Sequence, residues 1–447
     1  MSRIRIIITI IVVVLTTLLT GCTGKEPNEI AYVVALGIDS TDDDNYKITI
    51  QYANTTQISG GASESGGKAG SEIVDNVTIE APNIYAGVGL ANNIVSKSFS
   101  MSHAKLIVFS KEIAEKGVKD MIETLVRSEE IRPDVFIAVA NTTANDYLTS
   151  VNPEMEVNPA QYYQLIYQKN QLVGIPDGQL REFFTGLYTD NYDSILPVAG
   201  VIEGAGGNSQ NDDKGQSKDS QNEGSEGSSE SLDSFESKNS DENEKEKDAE
   251  KNTSKYEYDI KNYVCGETAI EKKNKAEAIG AAVFEKDKMV GELGEVETEI
   301  CKMLKGDYTY SYLTYYNNDT PDIPITVKTT QQKKPKYKID TDKKTVDIEL
   351  YIESDLYSLP ADYNVENKIE DFERDVANYT SSACTEFINN FTKKYNSDIL
   401  KLNEKVKYKF LTNNQYNWFK KNVGWSEYKF SVCTDFKVRR TGLIVRE

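Results

Sequence analysis

Residues 30–38, Ile30-Ala31-Tyr32-Val33-Val34-Ala35-Leu36-Gly37-Ile38, form the apolar run that decides the fold at the start of the chain. A run of this length without a polar face is typical of a strand buried on both faces of a sheet. After a polar turn, apolar residues alternate with polar ones from Tyr46 to Tyr52, which predicts a second strand beside the first. These two strands predict a sheet at the centre of the first domain.

Helices and strands then alternate as far as about residue 202. Pro82 suits the first turn of a helix, and Ser110 is a suitable N-cap for another. The predicted elements are a helix over 82–95, a strand over 104–109, a helix over 111–127 and a strand over 135–140. This mixture predicts one α+β domain, interrupted by a flexible Gly/Ser-rich loop over 57–71.

The composition changes abruptly at residue 203. Residues 203–254 contain 15 acidic and 6 basic side chains and almost no apolar ones. Such a stretch buries too little apolar surface to offset the entropy lost on ordering, so it is expected to be a disordered linker.

The sequence after the linker predicts two further domains. A hairpin over 278–293, a helix over 295–305 that ends at Gly306, and a Tyr-rich strand over 308–316 form a middle segment. The last segment contains an alternating strand, and then apolar residues recur at helical spacing over about 30 residues from Val365 to Tyr395. A strand after Trp425 offers that helix a sheet to pack on.

The expected fold class is therefore α+β, with three mixed α/β domains that each consist of a small sheet with packed helices. The expected divisions of the chain are a signal peptide at 1–21, an N-terminal domain at 22–202, the acidic linker at 203–255, a middle domain at 256–320, and a C-terminal domain with a long amphipathic helix at 321–447.

The first 22 residues have the order of a secretory lipoprotein signal. Arg3 and Arg5 precede an apolar run from Ile6 to Leu19, which is shorter than the roughly 20 residues that span a bilayer core. Leu19-Thr20-Gly21-Cys22 follows. We expect cleavage between Gly21 and Cys22, and a diacylglyceryl lipid on the Cys22 thiol that holds the protein on the outer leaflet of the cell membrane.

Charge and residue usage exclude several classes of function. A net charge of −20 disfavours nucleic-acid binding and a flat electrostatic contact with anionic lipid. His103 is the only histidine, which argues against His-dependent catalysis or zinc binding. The remaining cysteines are far apart and their disulfide state stays open: Cys265, Cys301, Cys384 and Cys433. The sequence predicts no catalytic residue, no metal site and no cofactor.

In their order, several short motifs resemble the Ger(x)C family, the C subunits of bacterial spore germinant receptors. Behind the motif ending at Cys22 they are Asn28 to Ala31, Leu36 to Asp39, Ser102 to Val108, Ile113 to Gly117, Arg127 with Ile131-Arg132, Gly280 to Phe284, Asp287 to Gly291, Asp398-Ile399, Trp418, Trp425 and Arg440 to Gly442. Two features depart from the pattern: the acidic insert, and Leu400-Lys401-Leu402 where the resemblance leads us to expect glycine-containing sequence.

The resemblance implies a non-enzymatic protein of three mixed α/β domains on the outer leaflet of the spore's inner membrane. It implies assembly with two polytopic subunits, A and B, in a complex that answers nutrients; whether this chain itself binds a small molecule stays open. His103 and Lys105 lie in a family motif, and we interpret them as structural residues beside a strand. The alternatives are a solute-binding lipoprotein of an importer and an exported hydrolase with two carboxylates.

Overall fold

A computed structural model describes most of the chain outside its N-terminal region and the acidic linker. The described residues are 3–10, 29–43, 45–53, 74–152, 156, 158–168, 174–189, 191–202, 262–268, 274–316, 324–359 and 368–441. Cleavage and lipidation at Gly21 and Cys22, the loop over 57–71 and the linker over 203–255 are predictions that lie outside these residues. In the described part of the chain, no helix has both the length and the apolar character that a membrane span requires.

The first sheet has nine strands in the order β3-β2-β1-β5-β6-β7-β8-β9, with β4 also paired to β1. The neighbours β1, β5, β6 and β7 are parallel to one another, whereas β2, β3, β8 and β9 extend the sheet in antiparallel fashion. The strands are β1 Ile30–Ser40, β2 Tyr46–Ala53, β3 Val74–Ala81, β4 Ser98–Ser100, β5 Leu106–Ser110, β6 Phe136–Ala140, β7 Ile195–Val201, β8 Ala276–Glu285 and β9 Lys288–Leu293.

Helices cover both faces of this sheet, as the continuous apolar run of β1 predicts. Leu36 and Ile38 belong to a core on one face, and Val34 and Ala35 belong to a core on the other. Between β3 and β7 the helices are α1 Ile84–Ala91, α2 Lys111–Lys116, α3 Lys119–Val126, α4 Ala144–Ser150, α5 Pro159–Tyr167 and α6 Leu180–Thr189. The predicted α+β class is confirmed.

Two of the predicted helices differ from the observed ones. The helix predicted to begin at Pro82 begins at Ile84, because the side chain of Asn83 accepts the Ala86 N–H and is the N-cap. The helix predicted over 111–127 is divided into α2 and α3 at Gly117, whose φ of 125° is incompatible with helix. Ser110 is the N-cap of α2, as predicted.

The second sheet has five strands and lies under one long helix. The order is β10-β11-β13-β12, and β14 pairs in parallel with β13 along the other side. The strands are β10 Tyr310–Tyr316, β11 Pro324–Thr330, β12 Lys336–Asp340, β13 Thr345–Ser358 and β14 Lys429–Arg440, and the helices are α7 Glu295–Lys305, α8 Ile369–Lys394, α9 Leu402–Val406 and α10 Asn413–Asn422.

Polar residues of α8 occupy the outer edge of β14. The side chains of Ser381, Thr385 and Asn389 accept the backbone N–H groups of Thr434, Val432 and Phe430 at 2.9, 3.0 and 3.1 Å. Four helical residues rise about 6 Å and two strand residues about 6.6 Å, so the two ladders stay in register. The helix thereby covers an edge that would otherwise be open to pairing with another chain.

The two sheets do not follow the three predicted segments. The middle-segment hairpin, β8 and β9, continues the first sheet by pairing with β7, and β10 belongs to the second sheet. Ala281 to Phe284 are buried on both faces and need helices on each side, which the first sheet already provides. The described residues on either side of the linker belong to one compact unit. The three-domain division stays a prediction from the sequence.

Candidate functional site

His103 and Lys105 flank β5, as their structural interpretation predicts. The backbone N–H of Lys105 donates to Val34 O at 2.9 Å, and its carbonyl accepts the Phe136 N–H at 3.0 Å. The His103 ring lies edge-on to Tyr32, with 4.8 Å between ring centroids, and its Nδ1 is 3.0 Å from Ser102 Oγ. These contacts join neighbouring strands and hold the imidazole beside β5.

The four described cysteines are free thiols. Cys265, Cys301 and Cys384 are buried, and burial raises the pKa of Cys301 to about 11 and that of Cys384 to about 12. Thiols with such pKa values remain protonated at neutral pH and act as small apolar residues. Within the described residues, no three His, Cys, Asp or Glu side chains are placed to hold a metal ion together.

Asp39, the last residue of one family motif, caps a helix. Its carboxylate accepts the N–H groups of Ala144 and Asn145, at 2.6 and 3.0 Å, at the N-terminus of α4. Asp39 is buried, and burial raises its pKa. Gly37 allows the same helix to approach, since a Cβ there would lie 3.0 Å from Leu148 Cδ1. This motif therefore docks α4 on the sheet.

Two other family motifs, distant in sequence, meet in space. The Val118 N–H, directly after the motif that ends at Gly117, donates to Asp287 O at 3.0 Å. Asp287 opens the second of the two motifs. A Cβ on Gly117 would approach Asp287 Oδ2 to 2.7 Å, so only glycine fits this contact without displacement. The pair joins α2 and α3 to the β8–β9 turn.

A pair of buried carboxylates lies where the N-terminal and C-terminal parts of the chain meet. Asp193 Oδ2 accepts the Asp398 N–H at 2.8 Å, and Asp193 Oδ1 accepts the Lys286 N–H at 3.0 Å. The Asp398 carboxylate in turn accepts the N–H groups of Leu402 and Asn403, at 2.7 and 2.8 Å, at the start of α9. We call Asp193 and Asp398 the carboxylate clamp.

Burial dominates the electrostatics of the carboxylate clamp. Burial, with a smaller contribution from the charge of Asp193, raises the pKa of Asp398 to about 7, and burial also raises the pKa of Asp193. Each of the four carboxylate oxygens accepts a backbone N–H. The geometry is that of a structural device that fixes three segments of chain, and it does not resemble the facing acid and base of the hydrolase alternative.

Lys401 adds a contact beside the carboxylate clamp and explains one departure from the family pattern. Its φ is 57°, in the left-handed region that glycine adopts most readily. Its ammonium group lies 3.3 Å from Glu182 Oε2 and 4.1 Å above the centroid of the Tyr192 ring. The chain therefore keeps the turn that glycine-containing sequence would make, and the lysine side chain gains partners on α6 and on the loop before β7.

A cleft of about 590 Å³ opens beside the carboxylate clamp. Its walls combine lysine, amide and aromatic side chains from both parts of the chain, including Lys286, Asn403, Asn417, Lys420 and Trp425. No sequence motif indicated this cleft or Asp193. The only available signal was Asp398-Ile399, which the family pattern marks without giving its partner.

The described residues thus form an α+β protein in which several motif residues dock helices or join segments that are distant in the sequence. Two family models match it: "Spore germination protein N-terminal domain" over residues 24–201 and "Spore germination B3/GerAC like, C-terminal" over residues 279–442. Together they cover more than half of the chain, and the chain belongs to this spore germination family, the Ger(x)C family. The resemblance drawn from its motifs is confirmed.

Similar proteins come from spore-forming bacteria. Spore germination protein KC of Bacillus subtilis (strain 168) is 26% identical over 176 residues, which are 36% of this chain and 43% of that protein. Spore germination protein B3 of the same organism is 26% identical over 148 residues, 31% of this chain and 36% of that protein. The match thus spans less than half the length of either relative. The crystal structure of the GerBC protein covers 90% of this chain and 96% of its own, at 15% identity and a TM-score of 0.48.

Proposed function

We propose that this chain is the lipid-anchored C subunit of a spore germinant receptor. In this proposal it is a non-catalytic component that the spore needs for its response to nutrients. It lies on the outer leaflet of the inner membrane, held by a diacylglyceryl lipid on Cys22, and assembles with polytopic A and B subunits. The observation that carries the proposal is the match of both family models, in order, across the two described sheets.

The position of the first match supports the anchor. It begins at residue 24, two residues after Cys22, so only Thr23 separates the proposed lipidation site from the matched N-terminal domain. Two acyl chains on one cysteine make a stable anchor, whereas a single chain gives only marginal binding. The lipid would therefore hold the first sheet close to the bilayer surface.

The core argues against the solute-binding alternative. A binding protein of that class closes two lobes about a hinge. Here one buried cluster includes Ile195 and Val283 of the first sheet together with Ile348 of the second sheet and Phe391 of α8. Opening the molecule between the sheets would expose this apolar surface, at a cost of about 25 cal/mol for each Å². The carboxylate clamp spans the same junction.

The proposal is tested in spores that lack this chain. We expect them to lose the response to the nutrients that their receptor serves, and we expect the wild-type chain, supplied in trans, to restore it. The measurement is the fall in optical density of a spore suspension after each nutrient is added. A full response of the deleted strain to every nutrient that germinates the parent would contradict the proposal.

A further inference from the structure

An exposed cluster of aromatic, apolar and lysine side chains projects from the helices after the carboxylate clamp. Leu411 is 95% exposed, Tyr408 80% and Trp418 69%, and they are the three most exposed large hydrophobic residues among those the structure describes. Lys407, Lys409 and Lys421 are exposed between and beside them. We call these six residues the aromatic–lysine surface.

The exposure is built into a rigid segment. Phe410 and Phe419 pack against each other with 4.9 Å between ring centroids, and Phe419 packs on the buried Trp425. Thr412 caps α10, and Tyr416 is buried against the clamp region. Since the alternate aromatic residues of this segment face inward, the remaining ones are held outward in a fixed arrangement.

The charge of this segment is opposite to that of the whole protein. Residues 401–421 contain six lysines and one acidic residue, Glu404, in a chain with a net charge of −20. The acidic chain as a whole is repelled by anionic lipid, as the sequence predicts. A cationic patch that carries Trp and Tyr is the local exception, and these are the residues enriched where proteins meet lipid headgroups.

The topology places the aromatic–lysine surface toward the edge of the first sheet at which β1 begins. Lys420 Nζ donates to Thr189 O at 3.1 Å and lies 3.0 Å from Asn191 Oδ1, just before β7 begins. Because β1, β5, β6 and β7 are parallel, the start of β1 at Ile30 lies at the same edge of the sheet. Ala35 of β1 is level with the start of β7 across three strand spacings, about 15 Å, and Ile30 lies five residues, about 16 Å, further toward that edge.

A lipid on Cys22 can enter the same membrane surface as the aromatic–lysine surface. Ile30 follows Cys22 by eight residue steps, which span at most about 28 Å. This step rests on the proposed function, since it takes the anchor at Cys22 as given. The composition and exposure of the patch do not depend on the anchor.

We propose that the aromatic–lysine surface is a second membrane contact that rests in the headgroup layer of an anionic phospholipid leaflet. Trp418 and Tyr408 would lie at headgroup level, Leu411 would enter the acyl boundary, and Lys407 and Lys421 would meet lipid phosphates. The contact fixes the orientation of a protein that the flexible lipid alone would leave free to tumble on the surface.

The chain's two tryptophans supply the test. The lipidated protein with Trp425→Phe carries Trp418 as its only tryptophan, and the protein with Trp418→Phe carries only the buried Trp425. Each is placed in phosphatidylglycerol vesicles that contain brominated acyl chains. We expect the brominated lipid to quench Trp418 strongly and to leave Trp425 unchanged.

Charge reversal tests the lysines without the lipid. In the chain that starts at residue 22 with Cys22→Ala, the double substitution Lys407→Glu and Lys421→Glu is expected to weaken binding to these vesicles at least about 25-fold, about fivefold for each lysine. Lys333→Glu with Lys334→Glu, in the exposed loop between β11 and β12, is the matched control and should change binding little.

The outcomes separate the two proposals. Protein that never acquires a lipid on Cys22 contradicts the proposed anchor, whereas unlipidated protein that still binds vesicles through Lys407 and Lys421 supports the patch. Protein held on vesicles by its lipid, with Trp418 as unquenched as Trp425, overturns the patch. Shielding of Trp418 only when polytopic partner subunits are present also overturns it, since the surface would then be a protein contact.

Discussion

Replacing Cys22 with Ala is expected to move the protein out of the membrane fraction, or to leave it as an unprocessed precursor. The diacylglyceryl group would be attached through a thioether bond to the Cys22 sulfur. Alanine has no sulfur and cannot form this bond. Each buried CH₂ of an acyl chain contributes about 0.8 kcal/mol to membrane binding, so the loss of two chains removes the dominant attachment. We expect the bound fraction to fall at least about tenfold.

The measurement is fractionation of membranes followed by mass spectrometry of the N-terminal peptide. The membranes are washed with high salt, because salt screens the weaker attraction between lysines and anionic lipid. Cys433→Ala is the matched control, since Cys433 is an exposed thiol far along the chain. Normal retention of the Cys22→Ala protein, at its mature length, would contradict the lipoprotein assignment.

Replacing Asp398 with Ala is expected to lower the free energy of unfolding by about 3 kcal/mol or more. The N–H groups of Leu402 and Asn403 lose their acceptor in a buried site, and each unsatisfied donor costs about 1–3 kcal/mol. Asp435→Ala, at an exposed position on β14, is the control and should change stability by less than about 0.5 kcal/mol. Denaturant unfolding of both variants measures the difference.

The loss caused by Asp398→Ala should depend on pH. Burial raises the pKa of Asp398 from 3.8 to about 7, so between these values the folded state binds more protons at this site than the unfolded state. Stability contributed by the site therefore falls as the pH rises from about 4 to about 7. The difference between wild type and variant should be larger at pH 5 than at pH 8. If the stability difference between wild type and variant is the same at pH 5 and pH 8, the pKa of Asp398 is not raised in the folded protein.

The sequence predicted local elements better than their partners. The spacing of apolar residues alone predicts the type of three elements. It predicts a buried strand for β1, a half-buried strand for β2 and an amphipathic helix for α8. Strands β7 and β8 pair although the acidic insert separates them in the sequence. No local pattern of residues predicts which strand the β8–β9 hairpin pairs with. The sequence therefore led us to expect a separate small sheet for each segment.

The contacts of the candidate site could not be predicted either, because they join residues that are distant in the sequence. Asp193 and Asp398 are 205 residues apart, and neither lies in a pattern that names the other. The hydroxyl and amide ladder on α8 repeats at four-residue steps, at Ser381, Thr385 and Asn389, and becomes meaningful only once β14 lies beside it. Lys401 departs from the family pattern in residue type, whereas its left-handed backbone preserves the local turn.

The most direct test of the central claim is purification of this protein from spore membranes in mild detergent, with mass spectrometry of what accompanies it. The receptor-subunit account predicts two polytopic membrane proteins of the A and B type, together with an N-terminal peptide of this chain that begins at a lipidated Cys22. The same purification from spores with Cys22→Ala is the control for the anchor. Recovery of an importer's permease and ATPase, or of this protein without any membrane partner, would contradict the account.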